Sequence, residues 1–226
     1  MYKLILLDAD NTIFDFEKAE GFALSETLKH FKIDIDFNII RARYHEINSN
    51  MWSMLEKGEI TKEELRFTRF EKLFKAFNIE LSAQDFSTYY LIKLGEGNFL
   101  LDGAEELCKY LSSKYRVVIL TNGIKDVQYS RIKSSVIYKY IEDIVTSDEV
   151  GINKPNKGIF EWTFNKINFN NKSEAIIIGD SLTSDIQGGI NFGIDTCWFN
   201  FKKDSSSKKI DPTYSVESLK EIESIL

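Results

Sequence analysis

Four short polar segments follow apolar runs in this chain of 226 residues. Each segment alone is typical of a helix cap or a turn. Together they supply carboxylates, a hydroxyl group, an amide-rich turn and one lysine, which is more than chance capping residues would be expected to bring. The segments are Asp8-Ala9-Asp10-Asn11-Thr12, Thr121-Asn122-Gly123, Lys154-Pro155 and Gly179-Asp180-Ser181, the last followed by Asp185.

The carboxylates and the lysine fit the chemistry of phosphoryl transfer. Asp8, Asp180 and Asp185 can hold a hard, oxygen-preferring cation such as Mg²⁺, which binds a few carboxylates together with substrate phosphate. Charge builds up on the phosphoryl oxygens in the transition state and has to be neutralised. We expect Thr121, Lys154 and the N–H groups near Asn122 and Gly123 to bind those oxygens.

Asp8 and Asp10 are candidates for two catalytic roles. They lie two residues apart, which in continuous strand geometry places both side chains on one face. A carboxylate nucleophile that forms an aspartyl-phosphate divides hydrolysis into two easier steps, and a second carboxyl group can protonate the leaving oxygen and later deprotonate water. Asp8 comes first after the strand and is the predicted nucleophile, so Asp10 is the predicted acid/base.

The elements that must position these residues alternate between strands and helices. Short β-rich apolar runs predict buried strands, and helical patterns separate the later ones. This alternation predicts an α/β fold with a Rossmann-like parallel sheet and helices on both faces, where ligands bind outside the carboxyl ends of the strands. The predicted strands are Leu4–Leu7, Val117–Leu120, Ile141–Val145, Ala175–Ile178 and Thr196–Phe199, and the predicted helices of this part are Glu105–Ser113, Lys125–Ser134, Lys157–Lys166 and Thr183–Phe192.

More than a hundred residues separate the first predicted strand from the second, far more than a crossover needs. The intervening pattern is helical and predicts an inserted α-helical domain over residues 15–97, with the core formed by residues 1–14 and 98–226. The predicted helices of the insert are Phe22–Phe31, Ile39–Leu55, Leu65–Phe77 and Phe86–Leu94, and Thr61 with Glu64 supplies a capping box for the third.

Composition limits the classes of partner. A formal net charge of -6 gives no basic surface for a nucleic-acid backbone. The first apolar run meets an acid after four residues, which is too short for a signal peptide or a membrane span, and the two cysteines suggest no disulfide framework. We therefore expect a cytoplasmic protein with a small-molecule phosphate monoester as its ligand, no nucleic-acid or membrane partner and no evident obligate protein partner. Lys202–Lys209 is a predicted surface loop.

The four segments resemble the motifs of the haloacid dehalogenase superfamily in type and order. Asp8-Ala9-Asp10-Asn11-Thr12 resembles the first motif, Leu120-Thr121-Asn122-Gly123 the second, Lys154-Pro155 the third and Gly179 to Asp185 the fourth. The resemblance implies that Asp8 is nucleophile and metal ligand, that Asp10 is the acid/base and lends its backbone carbonyl to Mg²⁺, and that Asp180 is the other direct ligand. It also implies that Asp185 supports the metal or orients Lys154, and that the insert is a cap domain which closes over the site and selects substrates.

The second aspartate implies a phosphatase, since dehalogenases of the superfamily lack it. Ser147 to Gly151, Lys154 to Lys157, Gly188 to Asn191, Thr196 to Trp198 and a cap segment from Trp52 to Thr61 are similar to the bacterial pyrimidine 5′-nucleotidases. We therefore expect hydrolysis of pyrimidine nucleoside monophosphates. The alternatives are a sugar-phosphate or phosphoglycolate phosphatase, and, outside enzymes, a receiver-like or catalytically idle binding module.

Overall fold

The computed structural model of the chain describes residues 1–203 and 210–226. Most of the predicted surface loop at Lys202–Lys209 lies outside these residues. The described helices, numbered along the chain, are α1 Phe16–His30, α2 Phe37–Glu56, α3 Lys62–Phe77, α4 Ala83–Glu96, α5 Ala104–Ser112, α6 Lys125–Ser134, α7 Ser147–Val150, α8 Lys157–Lys166, α9 Gln187–Phe192 and α10 Leu219–Ile225. A π-helical segment, Leu182–Ile186, leads directly into α9.

The described strands form a six-stranded parallel sheet in the order β3-β2-β1-β4-β5-β6. The chain builds outward from β1 to β3 on one side, then returns to β4 and builds outward on the other. The strand order therefore reverses between β1 and β4, which is where open α/β sheets bind ligands. The strands are β1 Leu4–Leu7, β2 Arg116–Thr121, β3 Asp143–Thr146, β4 Ala175–Gly179, β5 Asp195–Phe199 and β6 Tyr214–Val216.

Both faces of the sheet are covered by helices, because successive side chains of a strand point to opposite faces. Leu4 and Leu6 of β1 belong to a buried cluster that includes Phe160 of α8, whereas Ile5 and Leu7 belong to a second cluster with residues of α5 and α10. Each such buried side chain contributes about 1.5–3 kcal/mol of transfer free energy. The predicted α/β class, with a parallel sheet and helices on both faces, is confirmed.

The chain divides into two compact units, one of residues 1–16 and 98–226 and the other of residues 17–97. In the first unit, the segments on either side of the insert pair with each other. Asp15 N donates to Phe99 O at 2.9 Å, and Leu101 N donates to Ile13 O at 3.0 Å. These backbone hydrogen bonds therefore join the two segments of the first unit that flank residues 17–97.

The second unit contains α1 to α4 and has its own buried aromatic cluster. The ring of Phe70 lies 5.4 Å from that of Tyr44, 5.0 Å from Phe86 and 5.1 Å from Tyr90 between centroids. Helix α3 begins with the predicted capping box, in which Thr61 and Glu64 exchange hydrogen bonds. Among the helices of residues 1–203 and 210–226, none has the combined length and apolar character needed to cross a bilayer.

Candidate active site

The predicted site residues lie at the carboxyl edge of the sheet because three central strands end there. Asp8 follows β1 directly, and its backbone N–H still pairs with Ile178 O of β4 at 2.9 Å. Thr121 is the last residue of β2, and Asp180 follows Gly179, the last residue of β4. The site therefore occupies the crevice where the strand order reverses.

Lys154 lies at the centre of the site and is 1% exposed. Its ammonium group donates to Asp8 Oδ1 and Leu120 O and forms a salt bridge with Asp185 Oδ1, each at 2.6 Å. The predicted contact of the Lys154 ammonium group with phosphate stays a prediction. Burial alone would lower the pKa of Lys154, but the Asp185 and Asp8 carboxylates raise it above its ordinary value. Lys154 is therefore a permanent positive charge that orients the predicted nucleophile.

Asn122 holds the loop that carries Lys154. Its side-chain oxygen accepts from Lys154 N at 2.8 Å, and its side-chain nitrogen donates to Lys154 O at 3.0 Å. Both ends of the amide are thus engaged with the lysine's backbone. The predicted contact of Asn122 with phosphate stays a prediction. Because the side-chain amide binds Lys154, the backbone N–H of Asn122 is the group that would make this contact.

Three carboxylates come together around the lysine. One oxygen from each of Asp8, Asp180 and Asp185 lies within 4.8 Å of the others. Burial, followed by the charge of Asp185, raises the pKa of Asp8 to about 7. Burial, followed by the charges of Asp8 and Asp185, raises the pKa of Asp180 to about 8.

Burial is the main cause of these raised pKa values, and the excess of negative charge in the cluster adds to it. Three carboxylates and one ammonium group leave a formal charge of two negative units, which one divalent cation would neutralise. The donors are all hard oxygens, the class that Mg²⁺ prefers. This cluster fits the predicted metal site.

Asp185 is held in place from two sides. Its Oδ2 accepts from Ser181 N at 3.0 Å, while its other oxygen pairs with Lys154. Gly179 leaves the space that the carboxylate fills, since a Cβ at that position would stand less than 3.0 Å from Asp185 Oδ2. The structure thus provides the lysine-orienting contact expected of Asp185.

Thr12 links the first and fourth segments. Its hydroxyl donates to Asp8 Oδ2 at 3.3 Å and accepts from Asp180 N at 3.1 Å. The indole N–H of Trp198 donates to Asp180 O at 2.9 Å and fixes the same turn from β5. Thr12 was not among the predicted site residues, although its place in the first motif is a signal for it.

The hydroxyl group of Thr121 is oriented by two donors. Gly123 N donates to it at 3.1 Å, and Gln128 Nε2 donates to it at 3.2 Å. A hydroxyl accepts two hydrogen bonds and donates one, so its own hydrogen is left for another acceptor. This geometry suits the predicted contact of Thr121 with a phosphoryl oxygen.

Asp10 meets partners that the sequence analysis missed. Gln128 Nε2 donates to its Oδ2 at 2.6 Å, and the guanidinium group of Arg131 donates to its Oδ1. Both partners lie on α6, on the buried face that also carries Val127 and Ile132. The sequence of α6, KDVQYSRIKS, has no clear apolar face that would have marked these two residues as buried.

Short contacts join the seven predicted site residues in two groups, one around Lys154 and the other around Gln128. Lys154 binds Asp8 and Asp185 directly, Thr12 connects Asp8 to Asp180, and Asn122 binds the lysine's backbone. Gln128 connects Asp10 to Thr121. Strand β1 ends at Leu7, so the two aspartates of the first motif are not in one continuous strand, and each has its own set of partners.

Comparisons with known proteins give full-length relatives. The HAD-hydrolase YfnB of Bacillus subtilis is 36% identical over 225 residues, covering 100% of this chain and 95% of that protein. Two pyrimidine 5′-nucleotidases are also similar. PynA of Streptococcus pneumoniae is 34% identical, and the match covers 98% of this chain and 93% of PynA. YjjG of Escherichia coli is 30% identical, and the match covers 98% of this chain and 96% of YjjG.

This chain superposes on the solved structure of YfnB bound to magnesium with a TM-score of 0.93. The superposition covers 100% of this chain and 98% of the YfnB chain. The model of the haloacid dehalogenase-like hydrolase family matches residues 2–193. With most of the chain inside that match, and with the residues of the four motifs assembled at one sheet edge, this hydrolytic enzyme belongs to the haloacid dehalogenase-like hydrolase family.

Proposed function

We propose that the chain is a Mg²⁺-dependent phosphatase that hydrolyses phosphate monoesters through an aspartyl-phosphate, with pyrimidine nucleoside monophosphates as its substrates. The observation that carries the proposal is the separation of Asp8 from Asp10. Asp8 lies with Lys154 among the clustered carboxylates, while Asp10 is bound by Gln128 and Arg131. One carboxylate is thus set for attack and the other for proton transfer.

In the first step, a carboxylate oxygen of Asp8 attacks phosphorus and the bond to the leaving oxygen breaks. Asp10 gives its proton to that oxygen, so an alcohol leaves rather than an alkoxide. Lys154 and Thr12 hold the attacking carboxylate, with donors to Oδ1 at 2.6 Å and to Oδ2 at 3.3 Å. The Thr121 hydroxyl and nearby backbone N–H groups bind the phosphoryl oxygens.

In the second step, water attacks the phosphorus of the aspartyl-phosphate. The Asp10 carboxylate takes a proton from that water, the bond between phosphorus and Asp8 breaks, and inorganic phosphate leaves. Asp10 regains the proton that it gave up in the first step, so the cycle balances.

Mg²⁺ would be held by the side chains of Asp8 and Asp180 and by the backbone carbonyl of Asp10, with Asp185 in support. When bound, it supplies charge neutralisation for the carboxylates and the phosphate. Two observations support this choice of cation: the all-oxygen carboxylate cluster, and the magnesium-bound form of YfnB, which is 36% identical.

Two relatives support pyrimidine nucleoside monophosphates as the substrate class. Both are pyrimidine 5′-nucleotidases, and they are 34% and 30% identical over nearly the whole chain. The inserted residues 17–97 would select among substrates as a cap domain. A cytoplasmic location is part of the proposal and is supported by two cysteines that form no disulfide.

A panel of phosphate monoesters tests the proposal. It should contain pyrimidine and purine 5′-monophosphates, sugar phosphates, phosphoglycolate and p-nitrophenyl phosphate, each assayed with Mg²⁺ and with excess chelator. We expect repeated turnover that needs Mg²⁺ and a higher kcat/KM for uridine or thymidine monophosphate than for the other natural esters. A higher kcat/KM for a sugar phosphate would contradict the nucleotide assignment and favour a sugar-phosphate phosphatase. A single phosphorylation of the protein without release of phosphate would indicate a receiver-like module.

A further inference from the structure

The carboxyl group of Asp10 lies between two nitrogen donors of helix α6. Gln128 Nε2 donates to Oδ2 at 2.6 Å, and Arg131 Nη1 donates to Oδ1. Gln128 is 1% exposed and Arg131 is fully buried. The two oxygens of Asp10 thus have separate partners, and the three residues are called here the Asp10 clamp.

The surroundings of the clamp hold both donors in fixed places. Gln128 and Arg131 are three residues apart, so they lie on one face of α6. The guanidinium carbon of Arg131 lies 4.8 Å from the centre of the Phe14 ring. Gly123 provides the space for Gln128, since a Cβ there would come within 3.0 Å of three atoms of that side chain.

Buried polar groups are costly unless they are hydrogen-bonded, and a guanidinium group is seldom buried without a charged partner. The salt bridge to Asp10 supplies that partner for Arg131. Gln128 also donates to the Thr121 hydroxyl at 3.2 Å, so one amide nitrogen contacts both the proposed acid/base and a proposed phosphate-binding group. The clamp therefore fixes Asp10 relative to the place where the phosphoryl group would sit.

We propose that Gln128 and Arg131 are positioning residues that aim the Asp10 carboxyl group at the leaving oxygen and then at the attacking water. This inference rests on the proposed phosphatase function. A general acid must come within about 2.6–3.2 Å of the atom that it protonates, and a misplacement of about 1 Å can cost about 100-fold in rate. Two donors on one rigid helix reduce the freedom of the Asp10 side chain to swing away.

The test measures formation of the aspartyl-phosphate in single-turnover experiments with two substrates. One substrate is the best nucleotide of the panel, whose alkoxide needs a proton to leave, and the other is p-nitrophenyl phosphate, whose phenolate needs little help. Gln128→Leu keeps the size of the side chain but removes the donor. We expect it to slow phosphorylation by the nucleotide about 10-fold or more and phosphorylation by p-nitrophenyl phosphate less than about 3-fold.

Two further variants separate positioning from general damage to α6. Gly123→Ala should reproduce the Gln128→Leu pattern, because the added methyl group displaces the amide while both partners remain. Tyr129→Phe is the matched control, since it removes bonds of about the same length to Ile144 O and Glu149, at 3.1 and 3.2 Å, from the same helix. We expect the control to leave the rates with both substrates within about 2-fold of wild type.

A double variant tests whether Gln128 acts through Asp10. Asp10→Asn should itself slow the nucleotide more than p-nitrophenyl phosphate, and Gln128→Leu should have little further effect in that background. Arg131→Lys keeps the positive charge but loses the planar guanidinium group, so it should also slow phosphorylation by the nucleotide selectively. The double variant Gln128→Leu/Arg131→Lys should slow that step more than Arg131→Lys does alone. Tm measurements would identify any variant that is merely unfolded.

The outcomes distinguish this inference from the proposed function. Absence of turnover by the wild-type protein on every monoester would remove the proposed function itself. If the wild type turns over and Gln128→Leu slows both substrates equally, the amide acts on phosphate binding through Thr121 and the positioning inference is wrong. Faster phosphorylation by the nucleotide in Gln128→Leu would also overturn the positioning inference, because the clamp would then hinder proton transfer by Asp10.

Discussion

Two aspartates, Asp8 and Asp10, stand two positions apart in one motif and meet opposite surroundings. The first shares a buried cluster with two other carboxylates and Lys154. The second accepts hydrogen bonds from the side-chain nitrogens of Gln128 and Arg131 of α6. Two identical side chains thus have different surroundings, and the proposed mechanism gives them different roles, attack for Asp8 and proton transfer for Asp10.

The residue-scale prediction concerns the proposed nucleophile. Asp8→Asn should lower kcat by at least about 10³-fold, because it removes the attacking oxygen and one negative charge from the cluster. The Tm in chelator should stay within about 5 °C of wild type, because Lys154 keeps its bond to Asp185. Acid quenching with labelled substrate should detect no phosphoprotein in the variant.

Asp126→Asn is the matched control for that experiment. Asp126 is an exposed acid in the first turn of α6, so its replacement changes the net charge by the same amount. We expect wild-type kcat and normal labelling. Wild-type turnover by Asp8→Asn would instead mean that Asp8 is not the nucleophile.

The proximity of the seven predicted site residues could be expected from sequence, because each lies at or beyond the carboxyl end of a strand at the same sheet edge. The importance of Gln128 and Arg131 could not be expected, because it depends on what α6 packs against. The helix was predicted over its observed range, Lys125–Ser134, but a single sequence does not say that its buried face meets Asp10. Asn122 shows a related limit, since its position indicates the site but not that its amide holds the loop of Lys154.

At the scale of elements, predictions were most accurate where the local pattern was strong. Strand β1 was predicted over its observed range, whereas β6, Tyr214–Val216, was missed. A strand of three residues carries little periodic signal, and β6 is defined by its pairing with β5. The helix predicted over Thr183–Phe192 consists of the π-helical segment Leu182–Ile186 and α9, a change of winding that apolar spacing does not reveal.

The element-scale prediction concerns the junction of β4 and the π-helical segment. In Gly179→Ala, the added methyl group would occupy the place of the Asp185 carboxylate, which must then move from Ser181 N and Lys154. Losing charge-assisted bonds of this kind costs about 1.5–3 kcal/mol each. We expect a lower Tm and a higher Mg²⁺ concentration for half-maximal activity, measured by thermal unfolding and metal titration.

Gly21→Ala in α1 serves as the comparison. The nearest neighbour of its added Cβ would be the Arg41 guanidinium carbon at 3.2 Å, at the end of a flexible side chain. Alanine also favours a helix by about 0.5–1 kcal/mol over glycine. An unchanged Tm and Mg²⁺ requirement in Gly179→Ala would show that Asp185 does not depend on the space beside Gly179.

At the scale of the whole molecule, the carboxylate cluster links stability to pH and metal. The pKa of Asp8 rises from 3.8 to about 7, and that of Asp180 from 3.8 to about 8. Between about pH 4 and 8 these two groups therefore bind more protons in the folded protein than in the unfolded chain, so their contribution to the free energy of unfolding in chelator falls as pH rises. A bound cation favours the ionised carboxylates, so the gain in Tm from Mg²⁺ should increase over the same range.

Asp180→Asn isolates this effect from other titrating groups. In chelator, the variant should be more stable than wild type by an amount that grows from pH 5 to pH 8, because it carries no charge at position 180. It should also gain less from Mg²⁺ at pH 8. Thermal unfolding of both proteins across this range gives the comparison, and a constant difference between them would contradict the raised pKa of Asp180.

The last prediction concerns the two units of the chain. A protein in which a short Gly/Ser linker replaces residues 17–97 should fold cooperatively, because the cut ends lie in segments that the core already pairs. Asp15 binds Phe99 and Ile13 binds Leu101 through backbone hydrogen bonds at 2.9 and 3.0 Å. The seven predicted site residues all belong to the retained unit.

Activity separates the contributions of the two units. If residues 17–97 select substrates, the shortened protein should keep Mg²⁺-dependent hydrolysis of p-nitrophenyl phosphate but lose its preference among nucleotides, as measured by the ratio of kcat/KM values. The matched control carries the same deletion together with Asp8→Asn and should be inactive while melting at a similar temperature. A folded, active core that retained the full preference for pyrimidine nucleotides would assign specificity to the core, in which case the determinants of substrate choice would have to lie within residues 1–16 and 98–226.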